Sequence, residues 1–328
     1  MITRISNSQL FLRPVTAIVG ISLFASVLAY LGPFHWFWDL VNQFRLQIIL
    51  LSGFMTLALT GFVRENGKLR IGIFVSILCL ILNIVPIAAL FVSGKVQCVN
   101  SRTGSAQFSV LQYNVLSSNP YREQFLAYVR KRSPDFLCIE EIGPEWQAAL
   151  ETLKDLYPAQ YIVPRIDNFG IAFLSKRPLK SCEVLDLSGS SVPTLQAKVL
   201  VDKKMLTIVA THTIPPVNPQ CGDWRNEQLV KLAELASNLP GDESFILCGD
   251  FNAVSWSLPD SFFSSMREIT SNYLIQQTWP TMLPGFLRIA IDHVFCSSKL
   301  APVYQTSSDV CGSDHLGILT GFSFKEEN

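Results

Sequence analysis

Charge is sparse in this chain. Of its 328 residues, 16% are Asp, Glu, Lys or Arg, and they cancel to a formal net charge of zero, so no global field recruits nucleic acid or anionic lipid. The eight cysteines include no CxxC pair, which removes the usual basis of a zinc site. Cys138, Cys248 and Cys296 sit inside apolar strand-like runs as small core residues, whereas Cys221 and Cys311 lie in loop-like surroundings where pairing is left open. There is no internal repeat and no low-complexity tract.

Apolar sequence is what the chain has in excess. Hydrophobic residues make up 49% of it and the mean hydropathy is +0.30, values high for a wholly soluble protein. The excess falls in the first hundred residues, as charge-free runs over about 15–31, 46–63 and 71–92. Each is near the length that crosses a bilayer. A cleaved signal peptide explains the first run but not three in series. An aromatic loop (Phe34, Trp36, Phe37, Trp38) follows the first run, and a charged turn from Arg64 to Arg70 follows the second. Arg4 and Arg13 precede the first run, and Arg64, Lys68 and Arg70 lie between the second and third. The positive-inside rule therefore predicts a cytoplasmic N-terminus and an extracytoplasmic location for everything after the third run, with Arg45, Lys95 and Arg102 weighing on the other side. The expected organisation is a three-span membrane anchor over residues 1–93, a polar linker over 94–106 and a second domain over 107–328.

From residue 107 the pattern changes to short strands alternating with amphipathic helices. Strands are expected at 107–115, 135–141, 161–163, 169–175, 180–187, 194–201, 205–213, 245–248, 291–296, 303–307 and 316–324. Helices are expected at 120–132, 145–156, 223–239 and 261–269. Trp146, Leu150, Leu153 and Leu156 fall at helical spacing and read as core. Many strands with few helices suggest two sheets packed face to face with helices outside.

Several of these strands end in polar residues that burial does not call for. Asn114, Glu141 and His212 each end an apolar run, Asp292 begins one, and Asp314 and His315 precede the last. In the stretch FILCGDFNA, an apolar strand breaks at Gly249 into Asp250, Phe251 and Asn252; alternation places the acid and the amide on one side and turns Phe251 into packing. Taken singly, each is accounted for by a turn cap, a solvated acid or a satisfied histidine. Taken together they outline a polar centre. His293 follows Asp292 on the opposite face and is set aside, and Arg165 and Arg225 read as solvated surface.

The motifs LQYNV, CIEEI, ATHT, LCGDFNA, IDHVF and GSDHL, in this order, resemble the endonuclease/exonuclease/phosphatase superfamily, which includes DNase I-like nucleases, inositol polyphosphate 5-phosphatases and neutral sphingomyelinases. With Asn168-Phe169-Gly170, Pro215-Pro216 and the preceding apolar runs, the chain is most similar to bacterial membrane-anchored members. The resemblance implies a four-layer α/β sandwich, two packed mixed sheets flanked by helices, here behind three transmembrane helices. It implies Mg²⁺ or Mn²⁺ held by Glu141 and Asn114, with Asp314 adding an acidic group at the metal or a bound water. It further implies that Asp250 orients or deprotonates the attacking water and that Asn252 holds a phosphate oxygen. His212, and His315 paired with Asp292, would stabilise the charge developing on the phosphoryl oxygens. Asn168, at a strand start, is read as a residue of the phosphate-binding rim. His212 stands where some members carry Tyr.

The expected function is metal-dependent hydrolysis of a phosphodiester or phosphomonoester outside the cytoplasm, in the plasma membrane. The expected partners are the lipid bilayer and a phosphate ester, whether lipid headgroup, nucleic acid or inositol phosphate, with no obligate protein partner. Residues 107–328 show no dense Lys/Arg cluster, which counts against tight DNA binding. The alternatives are a nuclease acting on extracytoplasmic DNA and a non-catalytic membrane-tethered binding protein on the same scaffold.

Overall fold

The computed structural model describes residues 7–62, 69–99, 105–240, 243–271 and 275–326. Arg4, Arg64, Lys68 and Arg102, four of the charges weighed for orientation, lie outside the described residues. The chain divides into two compact units, Met1–Val92 and Ser93–Asn328.

The first unit is helical: α1 (Asn7–Leu28), a 3-10 turn (Ala29–Phe34), α2 (Trp36–Asn42), α3 (Arg45–Phe62) and α4 (Leu69–Val92). Pro14–Phe34 and Leu69–Val92 are each long and apolar enough to cross a membrane. The expected middle span passes the same criterion only as a pair, α2 with α3, bent by 52°. The aromatic stretch after the first run is therefore helix rather than loop: His35 caps α2 by accepting from the Phe37 amide. Large apolar side chains point outward along this unit, among them Phe24, Phe54, Leu57, Ile71 and Phe74, while polar ones face inward. Asn83 donates to Ser26 Oγ at 2.8 Å and to the Cys79 carbonyl. Arg45 is buried, with its guanidinium 4.5 Å above the Tyr30 ring and bonded to Asn42 and the Leu82 carbonyl. Apolar-out, polar-in is the pattern of helices packed in lipid, where interhelical hydrogen bonds replace hydrophobic burial. Arg45, counted from sequence as a flanking charge, is committed to the interior of its own unit.

Among the described residues the second unit contains thirteen strands. In chain order its elements are β1 (Val96–Val99), β2 (Phe108–Asn114), α5 (Arg122–Arg132), β3 (Phe136–Glu140), α6 (Pro144–Glu151), β4 (Ala159–Val163), β5 (Ile171–Ser175), β6 (Leu179–Asp186), β7 (Pro193–Val201), β8 (Lys204–His212), α7 (Pro219–Ser237), β9 (Ser244–Asp250), α8 (Phe262–Ser265), β10 (Met266–Ser271), β11 (Asp292–Ser297), β12 (Leu300–Ser307) and β13 (Ile318–Phe324). One sheet runs β1-β10-β11-β9-β8-β7-β6 and the other β12-β13-β2-β3-β5-β4. Both mix parallel and antiparallel pairs, and their inner faces meet in one apolar core that includes Val110, Phe136, Cys138, Ile208, Ile246, Cys248 and Val294. The outer face of the six-stranded sheet is covered by α5 and α6 through Phe125, Val129, Trp146 and Leu150. This is the expected sandwich of two mixed sheets flanked by helices.

Two local expectations are overturned. Residues 96–99, expected in the linker, form β1, which pairs parallel with β10. The helix expected over 261–269 is only the four residues of α8, after which the chain enters β10. In the isolated sequence the MREIT segment carries no alternation strong enough to beat a helical reading; pairing on both sides, to β1 and β11, makes it a strand. All eight cysteines are free, which closes the question of a Cys221–Cys311 bridge.

At Gly249 the fold admits no side chain. Its φ is +153°, and a Cβ there would lie 1.7 Å from the Thr211 carbonyl oxygen of β8, its register partner. Gly249→Ala is expected to destabilise the protein by about 1–3 kcal/mol, because the β8–β9 pair must part. It should also displace Asp250. Thermal unfolding of the full chain in detergent checks this; a wild-type melting temperature would contradict it.

Candidate active site

Alternation along the strands builds the site. On β2 the inner-facing row runs Phe108, Val110, Gln112, Asn114; on β3 it runs Phe136, Cys138, Glu140. Facing them are Ile208, Ala210 and His212 on β8, Ile246, Cys248 and Asp250 on β9, and Cys296, Val294 and Asp292 on β11. At one edge of the sandwich every row thus changes from apolar to polar. Strand register levels the changes: His212 pairs with Asp250, Asp250 with Asp292, and Asn114 with Glu140.

Asp250 is the hub. Its Oδ1 accepts from the Asn252 amide at 2.9 Å, and its Oδ2 accepts from Asn114 Nδ2 at 3.1 Å. The same Oδ2 lies 3.6 Å from His212 Nε2 and 3.7 Å from His315 Nε2. Those two separations are just beyond direct hydrogen bonding, and an oxygen atom at their apex would be in reach of both imidazoles and the carboxylate. His315 Nδ1 is held 2.9 Å from Asp292 Oδ2, and Asp292 Oδ1 accepts from Gln112 Nε2 at 2.8 Å.

Burial and these neighbours drive the two acids apart. Desolvation raises the Asp250 carboxyl above the ordinary aspartate range; His315 and His212 oppose the rise and Asp292 adds to it. Asp292 is buried as well, but the His315 imidazolium and its hydrogen bond outweigh desolvation and hold it below that range. For His315, burial favours the neutral ring, yet Asp292 and Asp250 together push its pKa up to about 10. Two carboxylates whose environments separate their titrations divide the labour of an acid–base site: one accepts a proton and the other stays ionised beside an imidazolium.

The local backbone serves the same end. Leu116, Glu141, Asn168 and Asn252 all take positive φ, at 60°, 63°, 67° and 45°. Non-glycine residues in this region carry strain that cooperative packing must hold, and they concentrate at functional sites.

A family model for the Endonuclease/Exonuclease/phosphatase family matches residues 111–315. The chain belongs to this family. Solved structures similar to it include TDP2 of D. rerio complexed with a single strand DNA product (18% identity, covering 66% of this chain and 98% of that one, TM-score 0.56). The human Nocturnin catalytic domain with bound sulfate is also similar (19%, 66% and 94%, TM-score 0.54), as is an endonuclease/exonuclease/phosphatase from Bacteroides vulgatus (16%, 66% and 99%, TM-score 0.55). At these identities they show the shared fold. No curated protein matches the chain.

Within this family fold, the residues singled out from sequence fall into two groups. Asn114, His212, Asp250, Asp292 and His315 form one connected cluster through the contacts above. Glu141 joins it at the edge, its Oε1 accepting from Asn114 Nδ2 and its Oε2 from the Ser117 amide, both at 3.0 Å. Asn168 reaches the same edge through Ser117 Oγ at 2.6 Å. Asn252 is placed by a turn rather than by strand alternation, and its Nδ2 is engaged by the Thr213 carbonyl. Asp314 accepts from Trp279 Nε1 at 2.9 Å, while its Oδ1 has no hydrogen-bond partner among the described residues. The neighbouring Ser313 donates to the Asn114 carbonyl.

Arg225, expected as solvated surface, is instead buried, with Nη1 donating to the Asn252 carbonyl at 3.3 Å. His293 lies away from the cluster, as alternation requires, held between Glu268 Oε1 at 2.7 Å and the Ala253 carbonyl at 2.8 Å. Sequence reasoning passed over Gln112 and Glu140, which are bonded to each other at 3.0 Å beneath Asp292. Their signal was present: each occupies an inner-facing strand position where only apolar residues precede it.

Family members are typically divalent-metal dependent, and ligand atoms of Asp250, Asp292 and His315 lie within 4.8 Å of one another, a grouping that could hold an ion. Glu141 and Asn114 at the edge, and Asp314 beside Trp279, carry hard oxygen atoms, and Asp314 Oδ1 has no hydrogen-bond partner among the described residues.

A raised His315 pKa means the folded state binds this proton more tightly than the unfolded chain does. Its contribution to stability is therefore complete below about pH 6.5 and lost as pH rises through about 10. Histidine-labelled protein titrated by NMR in chelator should show one imidazole with a midpoint near 10, absent in His315→Gln. A midpoint near the free-histidine value of about 6.5 would contradict this.

Proposed function

We propose that the chain is a membrane-anchored, divalent-metal-dependent phosphoesterase in which Asp250 activates a water for in-line attack on phosphorus. The observation that carries this reading is the setting of the Asp250 carboxylate, which faces Asn114, His212 and His315 at the polar end of the inter-sheet core. Its upward-shifted pKa moves it toward the range in which a carboxylate takes a proton from water at neutral pH.

The division of roles follows from charge. Asp250 Oδ2 accepts the water proton. His315 is an imidazolium fixed through Nδ1 by Asp292, so its Nε2–H points a positive charge at the phosphoryl oxygens as they gain charge. His212 faces the same point from the other side. Asn252 and Asn168 lie on the turns that frame the mouth and would contact the phosphate there. Glu141 and Asn114, with Asp314, would hold Mg²⁺ or Mn²⁺, whose chemistry is to polarise a phosphoryl oxygen as a Lewis acid. We favour this oxygen set over the Asp250–Asp292–His315 grouping because His315 is committed to Asp292 and holds its proton.

The helical unit supports membrane anchoring by its length, apolarity and outward-facing side chains. The positive-inside argument then favours a plasma-membrane protein with its catalytic unit on the extracytoplasmic side. A nuclease remains the second reading, favoured by the fold shared with TDP2, whose structure holds a single strand DNA product.

Full-length protein in detergent, assayed with Mg²⁺ or Mn²⁺ on bis(p-nitrophenyl) phosphate, p-nitrophenyl phosphate and single-stranded DNA, tests the reading. Asp250→Asn is expected to lower turnover by about 10³-fold or more with little change in metal affinity. Glu141→Gln should instead raise the metal concentration needed for half-maximal rate. Equal activity of wild type and Asp250→Asn on every substrate would defeat the assignment, and single-stranded DNA alone being cleaved would favour the nuclease.

A further inference from the structure

The net neutrality of the chain conceals a sandwich with two poles of opposite charge. The site occupies the pole where β3, β8 and β9 end and β11 begins, and it gathers the acids Glu141, Asp250, Asp292 and Asp314. β10 runs antiparallel to β11, and β1 runs parallel to β10, so β1 starts at the other pole, together with β9. The same directions bring to that second pole the end of α5, the link from β5 to β6, the β7–β8 turn, the β11–β12 turn and the end of β13.

Basic residues scattered along the sequence meet there. α5 closes on Arg130-Lys131-Arg132. Beside that end, Lys176 Nζ donates to Ser133 Oγ at 2.7 Å. Arg177 lies 4.0 Å from Asp202 in the β7–β8 turn, which continues into Lys203 and Lys204. Lys204 Nζ sits 5.4 Å above the Phe324 ring and donates to the Lys325 carbonyl at 3.4 Å, across 121 residues of sequence. The Lys325 amide in turn donates to the Lys299 carbonyl at 2.9 Å. These contacts pass from the six-stranded sheet to the seven-stranded one and back, so the charges form one row across the pole. Asp155, Asp202 and Asp260, acids of the same pole, are taken up by Arg130, Arg177 and Lys95. Lys131, Lys203, Lys204 and Lys325 are exposed and make no ion pair among the described residues.

The chain itself says what this pole meets. α4 is apolar and long enough to cross a membrane, and only Ser93, Gly94 and Lys95 lie between Val92 and β1. Four Cα–Cα steps reach about 14 Å at full extension. In any arrangement of the two units, the start of β1 therefore stays within that reach of the α4 end. Basic side chains held beside an anionic bilayer are drawn to it, over a range set by the Debye length of about 8 Å at physiological salt. We infer that the Arg130–Lys131, Lys203–Lys204 and Lys325 pole is a docking surface for anionic phospholipid headgroups, and that the site, at the opposite pole, opens away from that bilayer. This rests on the membrane-anchored part of the reading above and not on the chemistry at Asp250.

The test uses full-length protein reconstituted in vesicles of phosphatidylcholine alone or with phosphatidylglycerol added. A photoreactive p-benzoylphenylalanine replaces Leu200, exposed at the end of β7 beside the basic turn, or Phe286, exposed in the loop between β10 and β11 at the site pole. Illumination should yield phospholipid adducts at position 200 and not at 286, about fivefold or more abundant with phosphatidylglycerol present. Raising NaCl to about 1 M should remove that excess in the unsubstituted background, and Lys131→Gln/Lys204→Gln/Lys325→Gln should remove it at low salt. Adducts at 200 that are missing, indifferent to phosphatidylglycerol and salt, or matched at 286 overturn the inference while the anchoring stands. So does capture of added single-stranded DNA at 200 in place of lipid, which would make the pole a nucleic-acid surface. If alkaline carbonate strips the protein from the vesicles, the anchoring falls and this inference with it.

Discussion

A carboxylate removed from water is the constraint on which the rest of the sandwich depends. Burying the Asp250 charge without compensation is prohibitive, and the surrounding architecture offsets it from every side. An amide from Asn114, a backbone N–H from Asn252 and two imidazoles converge on one group. These partners come from four different strands or strand ends, so the compensation exists only when both sheets are packed. The geometry of the polar cluster and the stability of the sandwich edge are consequently one problem, and a loosened site exposes an unpaired buried charge.

Beneath that surface layer runs a second polar chain. Glu140 accepts from Gln112, Gln112 also donates to Asp292, and Asp292 holds His315. Burial raises the Glu140 carboxyl well above the ordinary range, which favours its neutral form among sulfur and carbon atoms of the core. Asp292, held below the ordinary range by His315, is the acid whose charge faces the imidazole. On the other flank, His293 links Glu268 to the Ala253 carbonyl, steadying the turn that carries Asn252.

The two units solve opposite solvation problems with the same chemistry. The helical unit turns large aliphatic and aromatic residues outward and gathers Ser26, Asn83 and Arg45 inside, whereas the sandwich buries its apolar rows and lets polarity emerge at one edge. Arg45 and Asp250 are both charges held in interiors by neighbours remote in sequence; the first knits helices together and the second is placed for chemistry.

Much of this was legible from the chain itself. Strand alternation and helical spacing are local properties, so the apolar runs, the sandwich class and the polar strand ends could be read residue by residue. The motif order identified Asp250, His212, Asp292, His315, Asn114 and Glu141, and the fold joins them. What only tertiary structure decided depends on registers and turns that no local pattern encodes. Asn114 and Asp250 meet across 136 residues of sequence. Glu141 reaches Asn114 because a left-handed turn swings it out of the strand, leaving Glu140 to face the core. The strands β1 and β10 exist because each finds a neighbour, and Arg225 is buried because the Asn252 loop closes over it. Sequence determined which residues are polar where the core should be apolar; the packing of two sheets decided which of them meet.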